Sequence, residues 1–433
     1  MPRPRQHIPL RVLLNNRLVG HLLKESSGAI YFRYDESWLS RNEATPVSLS
    51  LPLRDDAYKG ERVAAVFENL LPDSDMLRRR IAEKVGAKGT DAYNLLAQIG
   101  RDCVGALQFI PDGDEAVHAK TGITGKTLGD EEIEKLLKNL VRAPLGLDRD
   151  QDFRISVAGA QEKTALLRYH GKWLKPHGTT PTTHIFKPQI GTLPNGVDLS
   201  NSVENEYYCL KLMAAFGLQV NTAEIKLFGK IKTLVIGRFD RQWTDAGRLL
   251  RVPQEDCCQA LSCPPGRKYQ NEGGPGMIDI LKLLNAADTP AEDQKAFLKS
   301  QILFWLIGAT DGHAKNVSIF LGSGGRFHLT PFYDVLTAQP SLVARQIERK
   351  QMKLAMSVGE SRHYRIDEIK GRHFIQTVER AGLPGSLAVA ALEEVAMAAE
   401  SAMKRLEKEL PSNFPEKIHT SVKAAVISRL QTV

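Results

Sequence analysis

Asp311 and Asn316 stand five positions apart in the run Asp-Gly-His-Ala-Lys-Asn, and they offer more chemistry than any other pair in the chain. On a loop, that spacing lets one carboxylate face a substrate hydroxyl while an amide oxygen holds a metal ion, the division of labour in a phosphoryl-transfer catalytic loop. The same short run would also serve as a helix-ending turn, with Asp311 capping and Gly312 bending the chain. Asp334 favours the first reading. It ends Phe327-His-Leu-Thr-Pro-Phe-Tyr-Asp, an apolar strand-like segment, 18 residues after Asn316. A second magnesium ligand belongs there if a hairpin follows the loop. Upstream, Lys187 ends another apolar strand, a placement suited to pairing with α- and β-phosphates, with Glu204 or Glu206 on the next helix as orienting partners. An exposed edge-strand lysine is the alternative there. Ser156-Val-Ala-Gly-Ala-Gln-Glu-Lys163 is a turn in which small residues let backbone N–H groups approach phosphates, although it matches neither GxGxxG nor the Walker pattern.

Elements of two kinds must position these residues. Residues 10–34 alternate apolar and polar around turn signals at Asn15-Asn16 and Ser27-Gly28, which predicts strands of a small sheet. Residues 63–83 are helical by spacing, interrupted where Pro72-Asp73-Ser74 supplies a turn and a fresh N-cap, and 91–99 add a short helix. The stretch 110–129 is polar and glycine-rich, and Asp130 opens an amphipathic helix through Leu140. Strands are predicted at Thr164 to Arg168, Thr183 to Lys187, 223–228 and 232–237, with a helix from Val203 to Phe216 that Gly217 ends. After Pro253 the pattern is mostly helical, clearest at 277–285, 293–309 and 386–410. A mixed lobe therefore precedes a helical one.

With 433 residues, 42% apolar and 25% charged, the chain suits a multidomain globular enzyme and excludes disordered or fibrous classes. No stretch reaches membrane-spanning length, and Met1 to Asn16 lacks the apolar centre of a secretory signal. Five cysteines, an odd number that includes adjacent Cys257 and Cys258, fit reduced thiols of a cytoplasmic protein and lack paired zinc-ligand spacing. The net charge of +8 permits an anionic partner such as nucleic acid, as does the basic stretch 345–373. Gly122-Ile-Thr-Gly-Lys-Thr127 ends like a Walker loop, but position 120 is Lys and no strong strand precedes it, so it is expected to be a polar linker. No GxSxG occurs, and His313 has no Ser or Cys partner motif for triad hydrolysis.

Taken in order, ENLLPDS (68–74), IGRDCVGA (99–106), DFRISVAGAQEKTALL (152–167), PTTHIFK (181–187), NEYYCL (205–210), RFDR (238–241), PQEDCCQ (253–259), FWLIGATDGHAKN (304–316) and PFYD (331–334) resemble the HipA family of bacterial serine/threonine kinase toxins over nearly the whole chain. The resemblance implies an α+β, two-lobed protein-kinase-like fold. Its parts would be an N-terminal subdomain (1–112), the nucleotide-binding part of a mixed lobe (113–253) and a mainly helical C-terminal lobe with the catalytic loop (254–433). It implies ATP and Mg2+ as cofactors, Asp311 as general base, and Asn316 and Asp334 as metal ligands. The nucleotide site would comprise Ala158, Gly159, Ala160, Gln161, Glu162, Lys163, Lys187, the hinge Gly237, Arg238 and Phe239, then His313, Ala314, Lys315, Asn316, Tyr333 and Asp334. It further implies Ser156 as an autophosphorylation site, a small helix-turn-helix HipB-like antitoxin dimer, repression of the operon on operator DNA, and glutamyl-tRNA synthetase as protein target. Gly237 stands where an acidic hinge residue is expected, leaving only backbone contacts to adenine. Glu-Arg-Ala-Gly at 379–382 leaves Arg380 as the phosphate contact to DNA. A catalytically weak co-repressor and a small-molecule kinase are the competing readings.

Overall fold

The computed structural model describes residues 7–114, 122–147, 153–159 and 161–433. They form two compact units, Met1–Pro188 with Lys226–Gly266 and Phe320–Phe327, and Gln189–Ile225 with Arg267–Ile319 and His328–Val433.

In the first unit, strands Leu10–Leu14, Arg17–Lys24 and Ile30–Tyr34 are joined by tight turns, and Asn15 and Asn16 both take positive φ, as their position in a two-residue hairpin turn requires. The five-stranded sheet runs in the order Tyr58–Lys59, Ile30–Tyr34, Arg17–Lys24, Leu10–Leu14, Leu107–Pro111. Helices Glu61–Glu68, Asp75–Val85 and Ala92–Ile99 lie in sequence between its last two strands. Ser74 caps the second of these by accepting from the Leu77 N–H, and Gly86 ends it in the left-handed conformation, as the Pro-Asp-Ser signal predicts. Phe32, Phe67 and Phe109 meet edge-on or tilted at 5.5–5.7 Å in a core where each is fully buried, worth roughly 2–3 kcal/mol per ring.

A second, six-stranded sheet follows the order Ala223–Phe228, Ile231–Gly237, His184–Pro188, Thr164–Tyr169, Lys172–Pro176, Gly125–Leu128. Here the structure corrects two expectations. Gly125–Leu128, read as linker, is an edge strand paired antiparallel with Lys172–Pro176; its polar composition reflects exposed Lys126 and Thr127. The unpredicted strand Lys172–Pro176 turns back from Thr164–Tyr169 through His170-Gly171, both at positive φ. Helix Asp130–Lys138 lays Ile133 and Leu137 against Leu166, Trp173, Phe186 and Val235 of this sheet. Part of the polar stretch 110–129, residues 115–121, lies outside the described residues.

The second unit is built on helix Pro290–Ile307, which begins with Pro at its first position and ends at left-handed Gly308. Its C-terminal half, Ser300 through Ile307, is buried all round, and the Trp305 indole N–H donates to the Ile366 carbonyl at 3.1 Å. Helices Ser202–Ala215, Met277–Leu284, Gln339–Val343, Gly371–Arg380, Ser386–Glu409 and Glu416–Leu430 also belong to it. The half is mostly helical, as expected, and also carries strands Lys353–Val358 and His363–Arg365, which pair antiparallel. No helix among the described residues is long and apolar enough to cross a membrane.

Candidate active site

The catalytic-loop candidate begins where the buried helix ends. Gly308 and Ala309 donate back to the Trp305 and Phe304 carbonyls, so the chain leaves the helix at a fixed angle. Gly312 then passes so close to the Phe304 ring that a Cβ there would lie 2.5 Å from it. The loop holds itself together: the His313 N–H donates to the Asp311 carbonyl at 2.9 Å, the Asn316 N–H to the His313 carbonyl at 2.9 Å, and the Asn316 Nδ2 to the Asp311 carbonyl at 2.9 Å. The last bond fixes the Asn316 amide by its nitrogen and leaves the oxygen for another partner. The Asp311 side chain is 54% exposed, whereas His313, 3.7 Å from its carboxylate, is only 3% exposed. Asp311 thus stands on the surface of a loop whose remaining residues are anchored.

Asp334 does not end a strand as expected; the strand Phe327–Leu329 stops five residues earlier. Asp334 instead adopts a left-handed backbone with φ 57°, a conformation Asp tolerates better than most residues. The chain on either side of it is tied to the 311–316 loop or to the helix end that leads into it. Before it, the Tyr333 hydroxyl donates to the Lys315 carbonyl at 3.1 Å and meets the Ser318 hydroxyl at 2.6 Å. After it, Thr337 pairs antiparallel with Ala309, and the Ala338 N–H donates to the Gly308 carbonyl at 2.9 Å. Buried Asn205 of helix Ser202–Ala215 clamps the Thr337 backbone, its Nδ2 donating to the Thr337 carbonyl at 2.8 Å and its Oδ1 accepting the Thr337 N–H at 2.9 Å. Sequence reasoning had noted the NEYYCL run but not this use of Asn205. A carboxylate and an amide oxygen are hard donors of the kind Mg2+ takes alongside nucleotide phosphates, so Asn316 and Asp334 fit that ion. On the same helix, Glu204 accepts from the Gln189 amide at 2.7 Å, and Glu206 is buried.

Within the first unit, Lys187 is 5% exposed and lies opposite Leu234 on a central strand of the six-stranded sheet, so the edge-strand alternative does not hold. Lys163 is 4% exposed and donates to the Ala158 carbonyl at 2.6 Å. It crosses under Gly159, whose φ of 106° and lack of a Cβ make room for the ammonium. Gln161 donates to the Pro188 carbonyl at 3.0 Å, and Glu162 pairs with Arg80 at 2.9 Å. Ala160 lies outside the described residues. Ser156 is fully buried, its hydroxyl donating to the Leu70 carbonyl at 2.7 Å and its N–H to the Asp102 carbonyl at 3.0 Å.

The segment 237–239 carries a structural device that spacing did not reveal. Arg238 is committed to Asp240, Asp102 and the Cys103 carbonyl, and Arg241 and Arg251 converge on the same Asp102 at 2.9 and 3.0 Å. Burial alone would raise the Asp102 carboxyl, but Arg241, Arg251 and Arg238 outweigh it and hold it well below the usual carboxylate range. Burial, with Arg238 alongside, lowers Arg241 to about 10 against the pull of both aspartates. The Arg238 side chain is therefore committed to the interior. Phe239 packs edge-on against Phe320 at 5.6 Å. Arg380, the expected DNA contact, is exposed and donates to the Gly359 carbonyl at 2.8 Å.

Two family models match the chain, one described as the HipA N-terminal domain over residues 10–110 and one as the HipA-like C-terminal domain over residues 155–403. The chain is 34% identical over 356 residues to a Sinorhizobium fredii protein named "Putative kinase Y4mE", a match covering 81% of each. It is 26% identical to the serine/threonine-protein kinase toxin HipA of Shewanella oneidensis, covering 93% of this chain and 90% of that one. In solved structures, it resembles HipA of Shewanella oneidensis in a complex with HipB and operator DNA, with TM-score 0.81, 24% identity, and coverage of 98% and 96%. The α+β, HipA-type architecture expected from sequence is the one observed, and the chain belongs to the HipA family.

Proposed function

We propose that this chain is an ATP- and Mg2+-dependent serine/threonine protein kinase acting as the toxin of a toxin–antitoxin pair. The observation that carries the reading is that Asp334's flanks are tied on one side to the Asp311–Asn316 loop, through Tyr333 and Lys315, and on the other to the helix end that leads into it, through Thr337 and Ala309, in a chain that belongs to the HipA family. Asp311, exposed on a rigid loop, orients the acceptor hydroxyl and takes its proton. Asn316 and Asp334 hold Mg2+, which when bound offsets charge on the transferring phosphoryl group. Lys187 and the loop 158–163, including Ala158, Gly159, Ala160, Gln161, Glu162 and Lys163, hold the phosphates. His313, Ala314, Lys315 and Tyr333 shape the nucleotide site by keeping Asn316 and Asp334 in place, while Gly237, Arg238 and Phe239 offer backbone groups to adenine.

Ser156 is the self-labelling site in this reading. A phosphate of about −1.5 to −2 charge cannot occupy the fully buried position beside the Leu70 carbonyl, so phosphorylation expels the segment and repels ATP phosphates, which inactivates the enzyme. The partners are a HipB-like helix-turn-helix antitoxin dimer and, through it, operator DNA, with Arg380 as the chain's own phosphate contact; glutamyl-tRNA synthetase is the proposed substrate. The relative solved with HipB and operator DNA, and the family membership, support the antitoxin pairing.

Incubation with labelled ATP and Mg2+ is expected to label Ser156. Asp311→Asn is expected to reduce that labelling on the order of 10²–10⁴-fold, and full labelling in this variant would remove Asp311 from its role.

A further inference from the structure

The Asp311 carboxylate already has a hydroxyl on it. The Tyr269 phenol donates to Asp311 Oδ1 at 2.5 Å, while its ring meets the buried His313 ring edge-on at 4.9 Å. Chemically, an O–H donated to the base carboxylate is the arrangement an acceptor serine or threonine must adopt before transfer. No sequence motif points to Tyr269; only the run Gly273-Gly274-Pro275-Gly276 marks the turn that carries it.

The backbone under this tyrosine is fixed. The Glu272 and Gly274 N–H groups both donate to the Tyr269 carbonyl, at 3.0 and 2.9 Å. Gln270 accepts from the Ser357 N–H and hydroxyl at 2.7 and 3.0 Å. A Cβ at Gly274 would lie 2.0 Å from the Arg267 carbonyl, so the turn closes only with glycine there. The freedom that remains to Tyr269 is in its side-chain torsions. The carboxylate it covers belongs to a half-exposed side chain, so an acceptor hydroxyl approaches it from solvent and meets the phenol there.

We propose that Tyr269 occupies the acceptor position of the active site, so that the substrate hydroxyl gains Asp311 by displacing the phenol. This rests on the reading of Asp311 as the base. Two consequences follow from one hydrogen bond. While no acceptor is bound, the phenol keeps water off the base oxygen and holds down wasteful ATP hydrolysis. When an acceptor binds, part of its binding free energy is spent on breaking the Tyr269–Asp311 bond, which raises KM without being needed in the transition state.

Tyr269→Phe removes the hydroxyl and keeps the ring on His313. The test uses the full chain in a Ser156→Ala background, so that self-labelling does not intervene, with Mg-ATP alone and then with a synthetic peptide of the 152–163 sequence as acceptor. The expected result for Tyr269→Phe is acceptor-independent ATP hydrolysis raised about tenfold and peptide KM lowered by a similar factor, with kcat kept, as the loss of one charge-assisted hydrogen bond implies. A tyrosine that only supports the fold would instead lower kcat or the unfolding temperature and leave KM unmoved. Unchanged hydrolysis and KM, or a loss confined to kcat, would overturn the proposal. Tyr269→Ala, compared with Phe by thermal unfolding, separates the ring's packing from the hydroxyl's effect. Asp311→Asn is run alongside: if it is inactive while Tyr269→Phe behaves as wild type, only the tyrosine's role falls, and if it hydrolyses ATP normally, the reading of Asp311 itself falls.

Discussion

Gly312 shows how much a single missing carbon decides in this site. Its place beside Asp311 suggests a bend, yet its φ is not in the left-handed region, and the constraint is steric: the loop runs against the Cδ2–Cε2 side of Phe304, a buried ring. Gly312→Ala must push that ring or lift the loop. Overpacking of this kind costs about 1–3 kcal/mol, so a lower urea midpoint is expected together with at least tenfold slower self-labelling. Equal stability and rate would mean the loop can shift at no cost. At this scale the sequence was informative about which residue types are present, since Asp311, Asn316 and Asp334 stand in the order that phosphoryl transfer needs. It was silent on their neighbours. Tyr269 precedes Asp311 by 42 positions and Asn205 precedes Thr337 by 132, and hydrogen bonds between such distant residues leave no local pattern to read.

Among elements, the ion cluster around Asp102 joins the turn after helix Ala92–Ile99 to the end of strand Ile231–Gly237 and to the Leu249–Arg251 strand. Two aspartates face three arginines in an interior where every one of these side chains is at most 5% exposed. Such a cluster adds little stability over a well-packed apolar core, but removing one member leaves the others buried without compensation. Asp102→Asn is therefore expected to destabilise the protein by about 3–5 kcal/mol, seen as a large drop in unfolding temperature. A shift within error would show that the arginines find water or rearrange. The motifs IGRDCVGA and RFDR were legible as signatures, yet their purpose was not, because spacing gives no sign that 102 and 238 face each other. Strand Gly125–Leu128 escaped for a different reason: an edge strand with one exposed face has the composition of a loop, and only its partner Lys172–Pro176 makes it a strand.

For the molecule as a whole, Glu255 sets a dependence of stability on pH. It is fully buried beside Leu49, whose N–H it accepts at 2.8 Å, and burial, opposed by that bond, pushes its carboxyl up to about 8. Below the ordinary carboxylate value both folded and unfolded chains hold this proton, and the group is neutral to stability. Between that value and about 8 only the folded chain keeps it, so stability falls as pH rises through this window and the loss is complete above it. Glu255→Gln removes the titration. Its stability relative to wild type is expected to improve by a few kcal/mol between pH 5 and 9, measured as denaturant midpoints across that range; parallel curves would show that Glu255 ionises normally. The sequence by itself determined the class of the protein, the order of strands and helices near their caps and glycines, and the ordered set Lys187, Asp311, Asn316 and Asp334, because these depend on local periodicity, turn chemistry and residue type. Tertiary structure alone decided that Lys187 is buried on a central strand, that Arg238 serves the interior, that Asp334 lies beyond its strand in a left-handed turn, and that a phenol rests on the Asp311 carboxylate. Each of these depends on which distant residues fill the space around a side chain, and that is fixed only when the packed elements exclude water and leave every buried polar group to find its partner.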